Sequence, residues 1–177
     1  LSHTLGDEGG TADFMLATYG TGARLKNILG HKDTAKARLD EGARLAQQLR
    51  LPRLAARIAN ERIRAGIGRA ESSNPGPHDE TRDHHESHNG IITVTEELNR
   101  DSEIRRDLSD QTNRQALDRA HARAYELTAS IDGRARPRAF LNAALLHVEA
   151  LATTGRHDEA WKELLPLAEQ CARLGLV

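Results

Sequence analysis

The sequence predicts an all-α fold in which about seven helices stack as antiparallel hairpins and form an α-solenoid. Two stretches 125 positions apart share one pattern of small, acidic and apolar residues. The recurring pairs are Gly30 and Gly155, Asp33 and Asp158, Ala35 and Ala160, Leu39 and Leu164, Ala43 and Ala168, Leu49 and Leu174, and Leu51 and Leu176. Other apolar residues recur at helical spacing, and only residues 91–94 show the alternation of a half-buried strand. Both observations indicate an internal helical repeat.

The first predicted hairpin spans residues 12–50. Thr11 is a suitable cap for a helix over residues 12–29, which Gly30 ends, and Asp33 is a suitable cap for a second helix over residues 34–50. The apolar positions are Phe14, Leu16, Tyr19, Ala23, Leu25 and Ile28 in the first helix, and Ala35, Leu39, Gly42, Leu45, Ala46 and Leu49 in the second. Their three- and four-residue spacing predicts two amphipathic helices that pack together.

Five further helices are predicted after this hairpin. Pro52 suits the first position of a third helix that ends at Gly66 or Gly68. Thr93 and Glu96 have the spacing of a capping box, so a helix, or two short ones, should run from there to about Leu108. The last three helices are predicted over residues 114–131, 137–154 and 158–174, with a kink where Pro166 removes a backbone donor.

The chain divides into two helical parts and an insertion. Residues 1–68 should form the first hairpin and the third helix, and residues 91–177 the remaining helices of the same domain. Residues 69–90 carry two prolines and almost no apolar side chain, which predicts a disordered insertion rich in histidine and acidic residues. His78, His84, His85 and His88 are possible metal ligands there, but the segment lacks apolar residues to build a second shell, so no metal site is expected.

Composition restricts the class of partner. The 177 residues have a formal net charge of −1 and 3% aromatic content, which disfavours direct nucleic-acid binding. No apolar run approaches the roughly 20 residues of a membrane span, and no signal peptide is visible, so we expect a soluble, cytoplasmic protein without membrane contact. The single cysteine, Cys171, is expected to be a buried reduced thiol. Because the chain starts at Leu1 and its only methionine is Met15, we expect a piece of a longer polypeptide.

The sequence contains no recognisable catalytic motif. The sequence has neither a Walker pattern nor a G-x-G-x-x-G after a strand, so no nucleotide cofactor is expected, and Gly20 and Gly22 are interpreted as points of close helix approach. Adjacent carboxylates such as Asp40 and Glu41 point about 100° apart on a helix and do not converge on one substrate atom. His147 and Cys171 would be neighbours across a hairpin, but no motif orders them. The fragment is therefore expected to be non-catalytic and to hold no cofactor.

Two arginine clusters are the strongest candidates for a ligand-binding surface. Arg53, Arg57, Arg62 and Arg64 lie in the third helix, and Arg134, Arg136 and Arg138 precede the sixth. Solenoids often bind ligands through such residues in a concave groove, and the candidate binding surface is Arg57, Asn60, Arg64 and Asn142. The alternative is a solvated face in which Glu61 balances the arginines. Trp161 is interpreted as a hydrophobic anchor between hairpins, with a ligand platform as the alternative.

The repeated frame resembles tetratricopeptide (TPR) repeats. In that family a glycine ends the first helix, alanine follows five positions later, and a large apolar residue follows after four more. Gly30, Ala35 and Leu39 match this pattern, as do Gly155, Ala160 and Leu164. Tyr19 matches the opening aromatic position, whereas Ala144 replaces it in the last hairpin, and Gly42 and Leu167 replace the later alanine. The resemblance implies a TPR-like α-solenoid of divergent repeats.

A second resemblance lies in Leu39-Asp40-Glu41-Gly42, Leu45-Ala46 and Leu51-Pro52-Arg53-Leu54-Ala55-Ala56-Arg57. These residues resemble the TPR-like sensor region of large bacterial ATP-dependent transcription regulators of the MalT and LuxR type, and the regulator-like portion of a mycobacterial serine/threonine protein kinase. Such proteins combine a nucleotide-binding switch with a helical array that senses an inducer or partner. Only the sensor role is implied for this chain, in which neither the switch nor a DNA-reading helix-turn-helix is visible.

Two functions follow from these expectations. The first is a non-catalytic sensor or protein-interaction module of a larger bacterial signalling protein, which binds a protein segment or small-molecule effector and contacts adjacent domains of its parent. The second is a structural scaffold or oligomerisation segment of a repeat protein.

Overall fold

The protein is helical throughout the residues that a computed structural model describes, which are 14–67 and 86–175. This part of the chain contains no strand, so the predicted all-α fold class is confirmed. A π-helical segment, Leu16–Thr21, leads into α1 (Gly22–Ile28), and then come α2 (Lys32–Gln48), α3 (Pro52–Arg64), α4 (Glu86–Ser109), α5 (Arg114–Ala129), α6 (Pro137–Thr153) and α7 (His157–Arg173). None of these helices has both the length and the apolar character that spanning a membrane requires.

The chain divides into two compact units, Leu1–Asn99 and Arg100–Val177. In the first unit α1 packs against α2 and α2 against α3, as the hairpin prediction requires. Its core consists of Ala23, Ala35, Leu39, Ala46, Leu54, Ile58 and Ile67. Small residues at positions 23, 35 and 46 let these helices approach closely.

The second unit packs α5 against α6 and α6 against α7. Its main core consists of Ile104, Leu108, Leu117, Ala120, Ala124, Leu127, Ile131, Ala143, Leu146 and Ala150. A smaller cluster joins Leu141, Ala144 and Leu167, and the half-buried Cys171 packs against it. Each unit therefore has an apolar core built by helices that are neighbours in sequence.

The repeated glycines occupy equivalent turns. Gly30 and Gly155 have φ values of 82° and 81°, in the left-handed region that favours glycine. In both turns the next amide reaches back five residues: His31 N–H donates to the Lys26 carbonyl, and Arg156 N–H to the Leu151 carbonyl, each at 2.9 Å. This is the Schellman pattern of helix termination. The two repeated glycines thus end their helices in the same way.

The predicted helix caps are wrong by two residues. His31 and Arg156 occupy the cap positions, with no side-chain cap bond, and their carbonyls accept the first helical bonds, from Ala35 and Ala160. Asp33 and Asp158 lie one residue inside the first turn instead. The Schellman turn is so short that the new helix begins immediately after it. The aspartates are left to interact with the positive end of the helix dipole.

The apolar stripe predicted for the first helix is wrong in part. Phe14 and Ile28 are 72% and 73% exposed, and Leu25 is also exposed, whereas Ala23 is buried. For Leu25 and Ile28 the cause is the π-helical segment Leu16–Thr21, because the wider turn adds one residue and shifts the register of the residues that follow it. A stripe drawn with uniform α-helical spacing does not detect such a shift.

Helix α4 begins at Glu86, earlier than the predicted start at Thr93, and it is one helix. Residues 91–94 are helical, and Thr93 is an interior residue, so the capping-box interpretation is wrong. No proline follows position 77 in this segment, and a helix anchored further along by Ile104 and Leu108 can extend backward through polar residues. The insertion predicted over residues 69–90 falls, up to residue 85, outside the described residues.

Two predictions concern the last helix. Helix α7 runs from His157 to Arg173 with Pro166 inside it, and the kink at Pro166 stays a prediction. Trp161 is 62% exposed, so it does not anchor two hairpins within the described part of the chain.

Replacing Arg50 by glycine should stabilise the first unit. Arg50 ends α2 with φ of 52°, and 125 positions later the equivalent residue is Gly175, with φ of 63°. A left-handed conformation costs an L-residue roughly 1–2 kcal/mol, and glycine at this position would avoid that cost. The greater flexibility of glycine in the unfolded chain would offset about 0.5–1 kcal/mol of the stability gained. We expect Arg50→Gly to raise the free energy of unfolding by up to about 1 kcal/mol in urea titrations. Gly30→Ala is the matched control, and it should lower the free energy of unfolding. An Arg50→Gly protein that is less stable than the unaltered chain would contradict the turn geometry.

Candidate functional site

Three of the four predicted binding residues lie together on α3. Asn60 is fully buried, and its Oδ1 accepts a hydrogen bond from Arg64 Nε at 2.9 Å. Arg57 lies one turn earlier on the same helix and is partly buried. Asn142 is exposed on α6 in the other unit. Arg57, Asn60 and Arg64 therefore form a polar cluster along one helix, and Asn142 belongs to the second unit.

A buried carboxylate organises this cluster. The side chain of Glu61 is 2% exposed, and it accepts a hydrogen bond from Arg24 Nε at 2.9 Å and a second, short one from Arg24 Nη2. Arg57 Nη2 lies 3.0 Å from the same carboxylate. The expected alternative, a solvated face in which Glu61 balances the arginines, is wrong because Glu61 is buried. Its charge is instead compensated by guanidinium groups from α1 and α3.

Glycines bring the arginines into position. A Cβ atom at Gly20 would lie 3.1 Å from Cγ of Arg57, and one at Gly22 would lie 2.8 Å from Nη1 of Arg38. The absence of side chains at these positions lets the stem of Arg57 and the guanidinium group of Arg38 approach the first helix closely. The interpretation of Gly20 and Gly22 as points of close approach is confirmed.

A more exposed ion-pair group links α2 with α3. Asp40 accepts hydrogen bonds from Lys36 Nζ at 2.7 Å and from the Arg62 guanidinium. The pKa of Asp40 is lowered below its ordinary value, chiefly by the hydrogen bond from Lys36. The hydrogen bond from Arg62 and the positive charges of both groups act in the same direction, and burial acts against them. Arg62 is thus engaged in an inter-helix contact.

The second unit contains a histidine cluster that crosses three elements. His147 of α6 is 5% exposed, and its Nδ1 lies 2.8 Å from a carboxylate oxygen of Glu163 on α7. Its Nε2 lies 3.3 Å from Nε2 of His121 on α5. Arg156, at the start of α7, places Nη1 2.8 Å from the same His121 nitrogen. Tyr125 presents its ring to His147 in an edge-on contact with centroids 5.7 Å apart.

Burial is the main cause that lowers the pKa of His121 below its ordinary value, and the positive charges of Arg156 and His147 act in the same direction. Glu159 and Glu163 act in the opposite direction and are weaker. His121 is therefore held preferentially in its neutral form by its position in the fold.

Neither cluster has the arrangement of a catalytic site. Among the described residues, the hydrogen-bond partners of His147 are Glu163 and His121, and Cys171 packs against the apolar cluster of Leu141, Ala144 and Leu167. Within residues 14–67 and 86–175, no group of three or more His, Cys, Asp or Glu side chains is arranged to hold a metal ion. What both clusters do is link helices through charge-assisted hydrogen bonds.

Several members of these clusters were not predicted from the sequence. Arg57 and Glu61, like Asn60 and Arg64, have the i, i+4 spacing that places side chains on one helix face, and that signal was available. Arg24, His121 and Glu163 join through contacts between helices, which no local spacing reveals. The histidine cluster could be found only once α5, α6 and α7 were packed.

Comparison with known proteins identifies one set of relatives. The chain is 46% identical over 179 residues to serine/threonine-protein kinase PknK of Mycobacterium tuberculosis, in strains CDC 1551 and H37Rv, and of Mycobacterium bovis. The alignment covers 99% of this chain but 15% of each kinase. No protein-family model and no solved structure matches the chain. The chain is thus homologous to one segment of PknK, and the kinase part of the sequence resemblance is confirmed.

Removing the charge of Glu61 should destabilise the first unit. Glu61→Gln keeps the shape but leaves Arg24 and Arg57 facing a neutral amide, and hydrogen bonds to charged groups contribute roughly 1.5–3 kcal/mol each. Because both arginines are partly exposed and water can replace some of the contact, we expect a loss of about 1–3 kcal/mol in urea unfolding. Glu41→Gln, at an exposed carboxylate that pairs with Arg44 one turn away, should leave the unfolding midpoint unchanged. Equal effects of the two substitutions would show that the buried pair has no special role.

Proposed function

We propose that the chain is a non-catalytic, TPR-like sensor or protein-interaction module within a larger bacterial signalling protein, either a serine/threonine protein kinase or a transcriptional regulator. One observation carries this proposal: nearly the whole chain aligns with a segment of PknK, whereas that segment is 15% of the kinase. A stretch of this length that lacks a legible nucleotide-binding motif has the character of an accessory module.

The backbone geometry supports the TPR-like part of the proposal. Two hairpin turns 125 positions apart end their helices with the same left-handed glycine and the same pair of backbone hydrogen bonds. Helices that are neighbours in sequence pack against each other within each unit. Repeated hairpins of this kind build the grooves that helical-repeat proteins use for binding. The likeness to sensor regions of MalT and LuxR type regulators belongs to this proposal.

The expected ligand is a protein segment or a small effector. On α3, Asn60 and Glu61 are buried, so their role is to hold Arg57 and Arg64, whose side chains are only partly buried, in fixed positions. Fixed guanidinium groups lose less entropy when a ligand binds. Asn142 remains a separate candidate contact on the exposed side of α6.

A second candidate function is a scaffold or oligomerisation segment. Exposed apolar side chains favour it, because Trp161 and Leu165 lie one turn apart on α7 and are 62% and 61% exposed. Light scattering separates the two functions, since a scaffold that assembles through this face should form oligomers and a monomer would count against it.

A segment exchange in full-length PknK tests the sensor function. One variant carries this chain in place of the matching segment, and another carries a flexible Gly/Ser linker there. We expect both to retain autophosphorylation, because the catalytic groups lie elsewhere. The linker variant should change the rate by about fivefold or more, the scale of typical allosteric coupling, and the exchanged chain should restore it.

Two results would oppose the sensor function. Complete loss of phosphotransfer in the linker variant, recovered by adding the isolated chain, would make the segment part of the catalytic machinery. An unchanged rate in the linker variant would remove the regulatory role and favour the scaffold.

A further inference from the structure

His147 occupies a position where three elements meet through titratable groups. His121 and Tyr125 face it from α5, Glu163 faces it from α7, and Arg156 reaches the same cluster from the start of that helix. Glu159, which pairs with Arg156, completes the set of charged groups around it. The proposed sensor function does not depend on this cluster, and the inference drawn from it is independent.

The distances determine where hydrogens can lie. Nδ1 of His147 carries a hydrogen, because it lies 2.8 Å from the Glu163 carboxylate, which can only accept. A ring nitrogen of His121 accepts from Arg156, because Nη1 of Arg156 can only donate and lies 2.8 Å from Nε2 and 3.5 Å from Nδ1. Nε2 of His147 lies 3.3 Å from Nε2 of His121, so the two rings are also in polar contact. The contact with Arg156 is satisfied when His121 is neutral, because only the neutral ring has a nitrogen that can accept.

We propose that this cluster is a proton-operated switch, in which protonation of His121 breaks its contacts with His147 and Arg156 and shifts the side chains of His121 and Tyr125 on α5. A second hydrogen on the His121 ring removes the lone pair that accepts from Arg156. Two positive groups, His121 and Arg156, then meet beside His147, near the half-exposed carboxylates of Glu159 and Glu163. Like charges at hydrogen-bond distance repel, and the contact opens.

The change should be local to this cluster and not an unfolding of the unit. The core beneath it joins Ala120, Ala124 and Leu127 of α5 to Ala143, Leu146 and Ala150 of α6, and it contains no titratable group. His121 and Tyr125 lie toward the solvent side of α5. A change in their positions therefore alters the surface that the second unit presents to a partner.

The pH range follows from the direction of the His121 shift. Its pKa in the folded protein is lowered from the ordinary value of 6.5, so the unfolded chain binds this proton more readily than the folded chain. The stabilising contribution of neutral His121 is present above pH 6.5 and is lost as the pH falls toward the lower folded pKa. The switch should operate on the acidic side of neutrality.

An NMR titration of the whole 177-residue chain tests the switch. Ring and amide signals are followed from about pH 8 to about pH 5 in the unaltered protein, in His121→Gln and in His157→Gln. Glutamine at 121 keeps an acceptor for Arg156 but does not titrate. His157 is an exposed histidine of the same unit and is the matched control.

We expect the His121 ring to titrate below 6.5, and the amides of Tyr125, His147 and Glu163 to shift with the same midpoint. His121→Gln should abolish these amide shifts, and His157→Gln should retain them. Amide shifts that persist in His121→Gln, or a His121 midpoint at or above 6.5, would overturn the proposal.

A second variant gives an independent result. Glu163→Gln removes a carboxylate whose negative charge raises the pKa of His121. The His121 midpoint should then fall further below 6.5, and an unchanged or higher midpoint would contradict the charge arrangement.

Discussion

The buried carboxylate of Glu61 is the constraint that orders the first unit. A carboxylate that is 2% exposed is costly unless opposite charges and hydrogen bonds compensate it, and Arg24 and Arg57 supply both. Arg24 lies on α1, so the pair fixes the rotation of α3 relative to the first helix. Gly20 contributes to the same arrangement, because a Cβ atom there would lie only 3.1 Å from Cγ of Arg57. One charged group thus determines the positions of the arginines that the sequence presents as binding candidates.

The second unit uses a related arrangement with different chemistry. His147 is buried on the central helix of the three that pack there, and its two ring nitrogens contact groups on α5 and α7. In both units, the hydrogen bonds of a buried polar residue therefore help to align the adjacent helices, while small apolar side chains allow close packing. The difference is that the second arrangement is built on imidazole rings, a side chain that ordinarily gains a proton near neutral pH.

The sequence predicts the features that depend on local chemistry. Gly30 and Gly155 could be assigned to turns because only glycine readily adopts the left-handed conformation, and the spacing of Ala35, Leu39, Gly42 and Ala46 predicted the buried face of α2. The π-helical segment could not be predicted, since one extra residue in a turn leaves no compositional signal, and the exposures of Leu25 and Ile28 were misjudged as a result. The burial of Glu61 and the meeting of His121 with His147 depend on the packing of separate helices, which spacing within one helix does not encode.

A double-mutant cycle between Arg24 and Glu61 tests most directly whether the polar residues of α3 are internal links. Unfolding free energies would be measured for Arg24→Met, Glu61→Gln, the double variant and the unaltered chain. We expect a coupling energy of about 1–3 kcal/mol, the range found for residues in one hydrogen-bonded network. A coupling energy near zero, with both single variants as stable as the unaltered chain, would contradict an internal role and return these residues to a solvated surface.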